Sequence, residues 1–367
     1  MATRTFGVEE ELLLVNPRDG RPEPTGERVV QLAGERPVAA AADRPLVEHE
    51  FKAEQAEIGS APTTSASALT EDLRRLRREL AGAAAATGVQ IAALATSPTE
   101  VEPTVTPDAR YERMVDTFGL LARQQLTCGQ HVHVSVSSRA EGVAVLDRIA
   151  PWLPVLVAAS ANSPFWQGRD TGYSSYRTIV WGLWPTAGPT GGFGDEAGYD
   201  AVIAELLDSG AAMDDGMIYF DARLSARYPT VEIRVADVCC DVDDAVLIAV
   251  LCRALVETAA AAWRAGEPAP QLRPELLKAA TWRAARYGLG GSLFDPLRRA
   301  TVPAFELLDS LVDRLEPALQ LGGDLDLARA GVDRLRHHVS GAAAQREALR
   351  GGSLHDVVVD AVRRTLL

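Results

Sequence analysis

The sequence predicts an α+β fold, in which one antiparallel β-sheet carries helices on one face and is followed by a helical C-terminal part. Three observations support this prediction. Segments that alternate polar and apolar residues, as strands with one buried face do, occur at 6–15, 128–136 and 230–238. Segments with helical periodicity fill most of the chain after about position 268. The order of strands first, a mixed middle and helices last is typical of this class.

The strand at 128–136 has the clearest alternation. Val132 and Val134 occupy one face, and His131 and His133 occupy the other. Two imidazoles at positions i and i+2 present their nitrogens to one place. This segment is therefore the first candidate for a functional strand.

Two further strands carry charged side chains on one face. Glu9 and Glu11 share a face of the first strand, and Glu232 and Arg234 share a face of the strand at 230–238. Contact with water is the ordinary explanation for such a face. Three such strands in one chain favour a divalent metal ion or a charged ligand.

The segment Val47–Pro62 is unusually rich in carboxylates, and two explanations stay open. It is either a solvated edge strand or a second source of metal-binding carboxylates beside Glu9 and Glu11. The four acidic residues concerned are Glu48, Glu50, Glu54 and Glu57.

Periodicity, capping residues and chain breakers predict the remaining elements. A strand at 217–223 should form a hairpin with the strand at 230–238, and 288–291 should be a mobile turn. A short helix is predicted to begin at 29–33, and a buried strand is predicted at 89–94. The helix predicted at 143–161 should bend or split at Pro151 and Pro154. The other predicted helices span 70–87, 109–126, 200–209, 241–264, 276–287, 303–321, 324–349 and 354–367. On the helix at 70–87, we expect Arg74, Arg75, Arg77 and Arg78 to form a solvated face.

Composition and charge exclude several classes of protein. The 367 residues are 47% hydrophobic with a formal net charge of −13, which argues against nucleic-acid and anionic-membrane partners because both need a basic surface. None of the four cysteines forms a C-x-x-C pair, which is typical of a reduced, intracellular protein. The most apolar long segment, 245–263, is interrupted by Arg253 and Glu257, so we predict no membrane span and a cytoplasmic location.

The residue types point to phosphoryl chemistry that depends on a metal ion. Neither G-x-x-x-x-G-K-[ST] nor G-x-G-x-x-G occurs, so both standard phosphate-binding loops are absent from the sequence. Carboxylates with few histidines favour Mg²⁺ or Mn²⁺ over Zn²⁺. An arginine beside metal-binding carboxylates suits a metal-bound phosphate.

Several segments together resemble the carboxylate–amine ligase family, also called glutamate–cysteine ligase type 2. The resemblance rests on Gly7–Leu12, Cys128–Val134 and Pro229–Asp237, with further matches at Asn162–Pro164, Ser175–Arg177 and Trp282–Gly288. It implies a glutamine-synthetase-like curved antiparallel sheet that holds ATP and Mg²⁺ or Mn²⁺. It also implies one catalytic domain over 1–367, with C-terminal helices from about 268.

The same resemblance implies a reaction and its substrates. ATP phosphorylates a carboxylate, typically that of glutamate, and an amine, typically that of cysteine, attacks the acyl phosphate to give an amide, ADP and phosphate. The expected partners are therefore small molecules and, in a homodimer, a second copy of the chain itself.

Roles for individual residues follow from the matching positions. Arg234 would stabilise the transferring phosphoryl group, and Arg177 would act with it on substrate. Arg223 and Arg227 would contact the nucleotide phosphates or the substrate carboxylate. The implied metal ligands are Glu9, Glu11, Glu50, Glu57, His131 and Glu232. Tyr111, Trp166 and Trp181 are interpreted as core residues, and no general base is evident.

Three alternatives remain open from the residues alone. The first is a zinc hydrolase built on His131 and His133. The second is a kinase of a carboxylate or guanidino substrate on the same fold. The third is a binding module without catalysis.

Overall fold

The computed structural model describes residues 3–34, 47–338 and 340–367, with a main sheet and packed helices. The strands are β1 (Phe6–Val15), β2 (Val47–His49), β3 (Gln55–Gly59), β4 (Gln90–Ala92), β5 (Gly129–Ser135), β6 (Phe165–Trp166), β7 (Arg169–Asp170), β8 (Ala222–Leu224), β9 (Thr230–Asp237), β10 (Ser292–Asp295) and β11 (Ala300–Pro303). The helices are α1 (Gly26–Gly34), α2 (Ala66–Ala86), α3 (Ala109–Phe118), α4 (Leu120–Gln124), α5 (Arg139–Ile149), α6 (Leu153–Ser160), α7 (Tyr176–Trp181), α8 (Glu196–Asp208), α9 (Val242–Arg264), α10 (Pro274–Tyr287), α11 (Ala304–Gly322), α12 (Leu325–His338), α13 (Gly341–Arg350) and α14 (Leu354–Thr365).

The main sheet is antiparallel throughout, in the order β2-β3-β1-β5-β9-β8, with β4 also paired to β1. Strand β1 therefore lies in the interior of the sheet, between β3 and β5. The predicted first strand has the observed bounds, and the predicted hairpin between β8 and β9 is present, although β8 is short. The segment 47–62 supplies both the edge strand β2 and the inner strand β3.

One face of the sheet, called here the helix face, is apolar and covered by helices. Phe6 and Val8 of β1 and Val132 and Val134 of β5 are buried there in one cluster with α5, α6 and α9. The opposite face, called here the cleft face, carries the alternating polar side chains. The pairing of strands with helices on the helix face agrees with the predicted α+β class.

Two helical segments, Arg139–Ser160 and Val242–Arg264, are long and apolar enough to cross a membrane by length and composition alone. In this molecule 83% and 78% of their most apolar windows are buried by other parts of the protein. The charges that interrupt the second segment are paired, Arg253 with Asp324 and Glu257 with Arg4. Packing within the protein therefore accounts for the apolar composition of both segments.

Arg77 of α2 contradicts the prediction of a solvated arginine face. Its guanidinium is 1% exposed and binds both oxygens of Glu10, which points to the helix face of β1. Three main-chain carbonyl groups accept its remaining hydrogens, those of Cys239, Cys240 and Thr365. The prediction failed at this position because the periodicity of α2 does not show that β1 supplies a buried carboxylate, that of Glu10, opposite Arg77.

Several predicted bounds are wrong, and each has a local reason. The helix predicted at 109–126 is divided into α3 and α4 at Gly119, whose φ of +57° breaks a right-handed helix. Of the strand predicted at 217–223, only residues 222 and 223 pair in the main sheet, where β8 continues to Leu224. The preceding residues Met217, Ile218 and Phe220 instead pack in an apolar cluster beside the cleft face. The split predicted at Pro151 and Pro154 is present as a short 3₁₀ turn between α5 and α6.

The C-terminal part also differs in detail from the three helices predicted. Four helices, α11 to α14, follow a hairpin of β10 and β11 that the sequence did not indicate. The expected mobile turn at 288–291 begins with a short 3₁₀ helix whose Gly288 and Leu289 are buried. Ser353 and Asp356 form a reciprocal cap at the start of α14.

Candidate active site

A cleft of about 560 Å³ opens on the cleft face of the main sheet. Nine of the ten residues predicted for the site line it. They are Glu9, Glu11, Glu50, Glu57, His131, Arg223, Arg227, Glu232 and Arg234. The tenth, Arg177, lines a different cavity.

Strand register explains why these side chains converge. Glu9 is directly opposite His131 across β1 and β5, and Glu11 is opposite Glu57 across β1 and β3. Glu232 of β9 is opposite His133. Side chains at such positions lie on the same face as cross-strand neighbours. The alternating patterns of the strands thus become one acidic surface.

Three groups of side chains among the described residues could each hold a metal ion. The ligand atoms within each group lie within 4.8 Å of one another. The groups are Glu9 with Glu57 and His131, Glu9 with His133 and Glu232, and Glu11 with Glu50 and Glu57. Because Glu9 and Glu57 belong to two groups each, the three candidate sites adjoin one another.

The carboxylates of the third group belong to half-buried residues and are held close together. Burial, and then the negative charges of Glu9 and Glu50, raise the pKa of Glu57 well above its usual value. Burial also raises the pKa values of Glu11 and Glu50. A divalent cation would offset this mutual repulsion, because its charge favours the ionised form of each ligand.

Glu9 and the histidines form the middle of the surface. Although burial opposes its ionisation, hydrogen bonding to His131 and His133 holds the pKa of Glu9 well below its usual value. Burial and the nearby Arg234 lower the pKa of His131, which favours the neutral imidazole. Its buried Nε2 atom has no hydrogen-bond partner among the described residues. A neutral imidazole with a vacant nitrogen is the form that binds metal ions.

The two arginines of the cleft converge on Glu232. Arg223 donates to it from Nε at 2.7 Å, and Arg234 donates from Nη1. Burial opposes ionisation of Glu232, but the charges of Arg234 and Arg223 lower its pKa below the usual range. The buried Nε of Arg234 has no partner among the described residues. This cationic pair lies next to the carboxylate groups and would suit a phosphoryl group.

Arg177 lies behind Arg234 and does not line the cleft. It is 2% exposed, and its Nη atoms donate to the main-chain oxygens of Val235 and Arg234. It borders a second cavity of about 440 Å³ that meets the cleft at Trp181 and Arg234, which line both. Arg177 therefore supports the strand that carries Arg234.

Sequence reasoning missed the aromatic wall of the cleft. Tyr111 and Trp181, interpreted as core residues, line it together with Phe51, Trp184 and Tyr219. The periodicity of the sequence did not distinguish site residues from core residues here, because these aromatic side chains pack against one another and also line the cleft. Trp166 lines neither cavity and lies in the small hairpin of β6 and β7.

Lys52 is a second omission. It is one of only two lysines in the chain. Its ammonium group donates to the main-chain oxygen of Arg123 at 3.0 Å, and burial lowers its pKa to about 8. Glu54, by contrast, faces away from the cleft and accepts a hydrogen bond from the amide of Thr104. Of the acidic residues in the segment 47–62, only Glu48, Glu50 and Glu57 reach the cleft.

A family model described as glutamate–cysteine ligase family 2 matches residues 5–362 of this sequence. The chain belongs to this family. The match covers every element that contributes to the cleft, from β1 to β9, and continues into the last helix. The predicted family and the predicted class of enzyme, an ATP-dependent carboxylate–amine ligase, are thereby confirmed.

The sequence of this chain aligns with a curated relative over nearly the whole length of both proteins. A protein from Frankia alni with the provisional name glutamate–cysteine ligase 2-2 is 54% identical over 371 residues, which cover 99% of this chain and 97% of the relative. Among solved structures, a bifunctional glutathione synthetase from Pasteurella multocida has a TM-score of 0.68 at 15% identity. That match covers 99% of this chain and 52% of the other, so the chain spans about half of that protein.

A second solved structure, a glutamate–cysteine ligase from Francisella tularensis in complex with AMP, has a TM-score of 0.65 at 13% identity. The match covers 100% of this chain and 89% of that protein. Likeness at such low identity shows the fold alone, and it confirms the predicted ligase-type α+β fold.

Two further segments that resembled the family have a structural explanation. Ser163 and Ser175 each donate a hydrogen bond from a hydroxyl group to the buried carboxylate of Asp237, at 2.7 and 2.8 Å. The amide of Asn162 donates to the same carboxylate. These family positions join the loop before α7 to the end of β9, and so position Arg177 behind the cleft.

Proposed function

We propose that the protein uses ATP to phosphorylate the side-chain carboxylate of glutamate, or of a closely related acid, and joins that acid to the amine of an amino acid. The products are an amide, ADP and phosphate. One observation carries the proposal. Carboxylate and imidazole ligands from β1, β3, β5 and β9 converge to within 4.8 Å in adjoining groups, directly beside the paired arginines Arg223 and Arg234.

The donor set fits Mg²⁺ or Mn²⁺. Four of the six predicted ligands are carboxylates from β1 and the segment 47–62, and hard divalent cations prefer oxygen ligands. The vacant Nε2 of His131 and the raised pKa of Glu57 are both features that a bound cation would satisfy. When bound, the cations would neutralise phosphate charge and orient the triphosphate.

The chain's own residues have separate tasks in this proposal. Glu9, Glu11, Glu50, Glu57, His131 and Glu232 hold the cations. Arg234 faces the transferring phosphoryl group and offers it the hydrogen of its buried Nε, which binds none of the residues that the structure describes. Arg223 is held between Glu232 and the main-chain oxygen of Ile218, which fixes the direction of its guanidinium. Charge placed in this way stabilises a transition state without reorganisation.

The aromatic wall supplies the apolar part of the site. Phe51, Tyr111 and Tyr219 line the same cleft as the carboxylates, on the side formed by α3 and the segments before β3 and β8. Phe51 and Tyr111 pack edge to face with ring centroids 5.2 Å apart. We propose that this wall takes the base of the nucleotide, since ligand sites combine apolar walls with a few charged groups.

Purified protein with Mg²⁺, ATP and glutamate tests the proposal. Each amino acid is added in turn, with ADP release and product mass as readouts. We expect ADP release that depends on both the acid and an amine, and a product whose mass is that of the amide. Glu9→Gln should be inactive, which a binding module without catalysis would not show.

Two outcomes would contradict the proposal. A phosphorylated acid that accumulates without an amine requirement would favour the kinase alternative. Hydrolysis that needs Zn²⁺ and no ATP would favour the hydrolase. A single catalytic domain over 1–367, a homodimer, a cytoplasmic location and the absence of nucleic-acid and membrane partners stay predictions.

A further inference from the structure

A second cavity adjoins the cleft and has a different chemical character. It has a volume of about 440 Å³ and meets the cleft at Trp181 and Arg234. Its walls are largely apolar, with contributions from Ile179, Phe220 and Trp282. None of the predicted metal ligands lines it. It therefore offers space for a second substrate next to the position proposed for the transferring phosphoryl group.

Asp221 is the acidic group in the inner wall of this cavity. Its main-chain oxygen accepts a hydrogen bond from the amide of Arg234, so it lies immediately beside that residue in the sheet. Within the described residues, its carboxylate accepts no hydrogen bond and forms no ion pair. Burial raises its pKa to about 7, although the charge of Arg177 acts in the opposite direction. A carboxylate that is partly withdrawn from water without a partner favours a cationic ligand.

Lys278 of α10 lines the mouth of the same cavity. It is exposed and forms no ion pair with any residue that the structure describes. The nearby Glu275 is engaged with Arg273 at 3.0 Å. One unpaired anion inside the cavity and one unpaired cation at its mouth match a ligand with the opposite arrangement of charges.

We propose that this cavity, called here the acceptor pocket, binds the amino-acid acceptor of the ligase, with its ammonium group at Asp221 and its carboxylate at Lys278. The inference rests on the proposed function and goes further, because it assigns the acceptor a place and a charge type. It also gives the reaction the general base that the sequence did not show.

The chemical step balances with these groups. The nitrogen lone pair forms the bond to the acyl carbon, and the bond from that carbon to the phosphate oxygen breaks with its electron pair on phosphate. The nitrogen loses two protons in becoming an amide. One proton goes to the carboxylate of Asp221, and the other goes to the departing phosphate.

Hydroxylamine separates this role from a structural one, because it is uncharged at neutral pH and needs neither a countercharge nor a base. For Asp221→Asn we expect kcat/KM for amino-acid acceptors to fall about a hundredfold or more, the usual scale for losing a general base. Hydroxamate formation from glutamate and hydroxylamine should stay within about threefold of wild type, which is small on that scale. The exposed Asp208→Asn at the end of α8 is the matched control, and neither rate should change.

Lys278→Met tests the other half of the acceptor. It should raise KM for an amino acid and leave KM unchanged for the same amine without its carboxylate. In the wild-type protein, an N-trimethylated amino acid should inhibit competitively against the acceptor and not against ATP. Because this measurement uses the wild-type protein, its result does not depend on whether a variant folds.

Five outcomes are decisive. Equal losses with amino acids and hydroxylamine in Asp221→Asn, or no loss with either, would overturn the inference. Inhibition by the trimethylated compound that competes with ATP would place the nucleotide in the acceptor pocket and also overturn it. If the wild-type protein makes neither amide nor hydroxamate, the proposed function fails, and the inference fails with it. The predicted selective loss supports both.

Discussion

Two buried acid–base clusters lie on opposite faces of the main sheet. On the helix face, both oxygens of Glu10 accept hydrogen bonds from Arg77, and three main-chain carbonyl groups accept the remaining three guanidinium hydrogens. On the cleft face, the Nε of Arg234 and the Nε2 of His131 have no hydrogen-bond partner within the part of the chain that the structure describes. A satisfied buried cluster stabilises the fold. A buried cluster with vacant positions is arranged for a ligand.

The largest effect should come from breaking the satisfied cluster. Arg77→Ala leaves Glu10 charged and buried, which costs about 3–5 kcal/mol of unfolding free energy. Chemical denaturation measures this loss. Arg329→Ala, which removes an exposed ion pair with Glu316, is the control and should change stability by less than about 1 kcal/mol. Equal stability of the two variants would refute a structural role for Arg77.

Breaking the cleft-face cluster should remove activity and spare the fold. Glu232→Gln and Arg234→Ala should each lower turnover at least about a hundredfold, the usual scale for losing one charge-stabilising group. Steady-state ADP release measures the rate, and thermal unfolding checks that each variant is folded. Near-normal turnover in either variant would show that the proposed phosphoryl position is wrong.

Metal ions should stabilise the cleft face, where a third group of carboxylates adjoins the cluster of Glu232 and Arg234. Mg²⁺ should raise the melting temperature in the absence of nucleotide, because it offsets repulsion among Glu11, Glu50 and Glu57. At a hundredfold excess over its dissociation constant, the gain is about 2.7 kcal/mol. Thermal unfolding with Mg²⁺ or with a chelator measures it. Glu57→Gln should reduce the gain, whereas an undiminished gain would place the ion elsewhere.

The smallest effect should be a loss of stability at acidic pH that comes from Glu141, whose carboxylate is bound by Arg4 and Ser137. Although burial opposes its ionisation, bonds from Arg4 and the amide of Ser137 lower the pKa of Glu141 from 4.5 to about 2. A lowered pKa adds stability above pH 4.5 that is lost as the pH falls towards 2. Thermal unfolding across this window should show a decline that is shallower in Glu141→Gln. An identical decline in that variant would contradict the assignment.

The side chains of the cleft face could be predicted because the alternation of faces along a strand depends only on neighbouring residues. Glu9, Glu11, His131 and Glu232 each follow the two-residue period of a strand, so their common face can be read from the sequence. The convergence of the strands required the family resemblance, which also supplied Glu50 and Glu57. Their placement in the cleft depends on how β3 pairs with β1, and no local pattern encodes that pairing.

The missed residues depend on partners that are distant in sequence. Arg77 looked solvated because Glu10 lies on another element. Asp221 falls within the strand predicted at 217–223, but the cavity beside it is formed by α7, α10 and β9, which are distant from it or from one another in sequence. Residues 217–220 were predicted to belong to a strand because a short apolar segment is compatible with a sheet. In the structure, apolar side chains of this segment are buried in an apolar cluster instead.

The shell around Arg77 has a consequence for biosynthesis. One of its carbonyl partners, that of Thr365, lies 288 positions further along the chain. While a ribosome is still making the protein, β1 and α2 can meet long before that partner exists. Contacts so distant in sequence form late and slow folding. The nascent chain should therefore hold its central strand loosely until α14 has been made and has docked, and the protein should resist proteolysis only after that step.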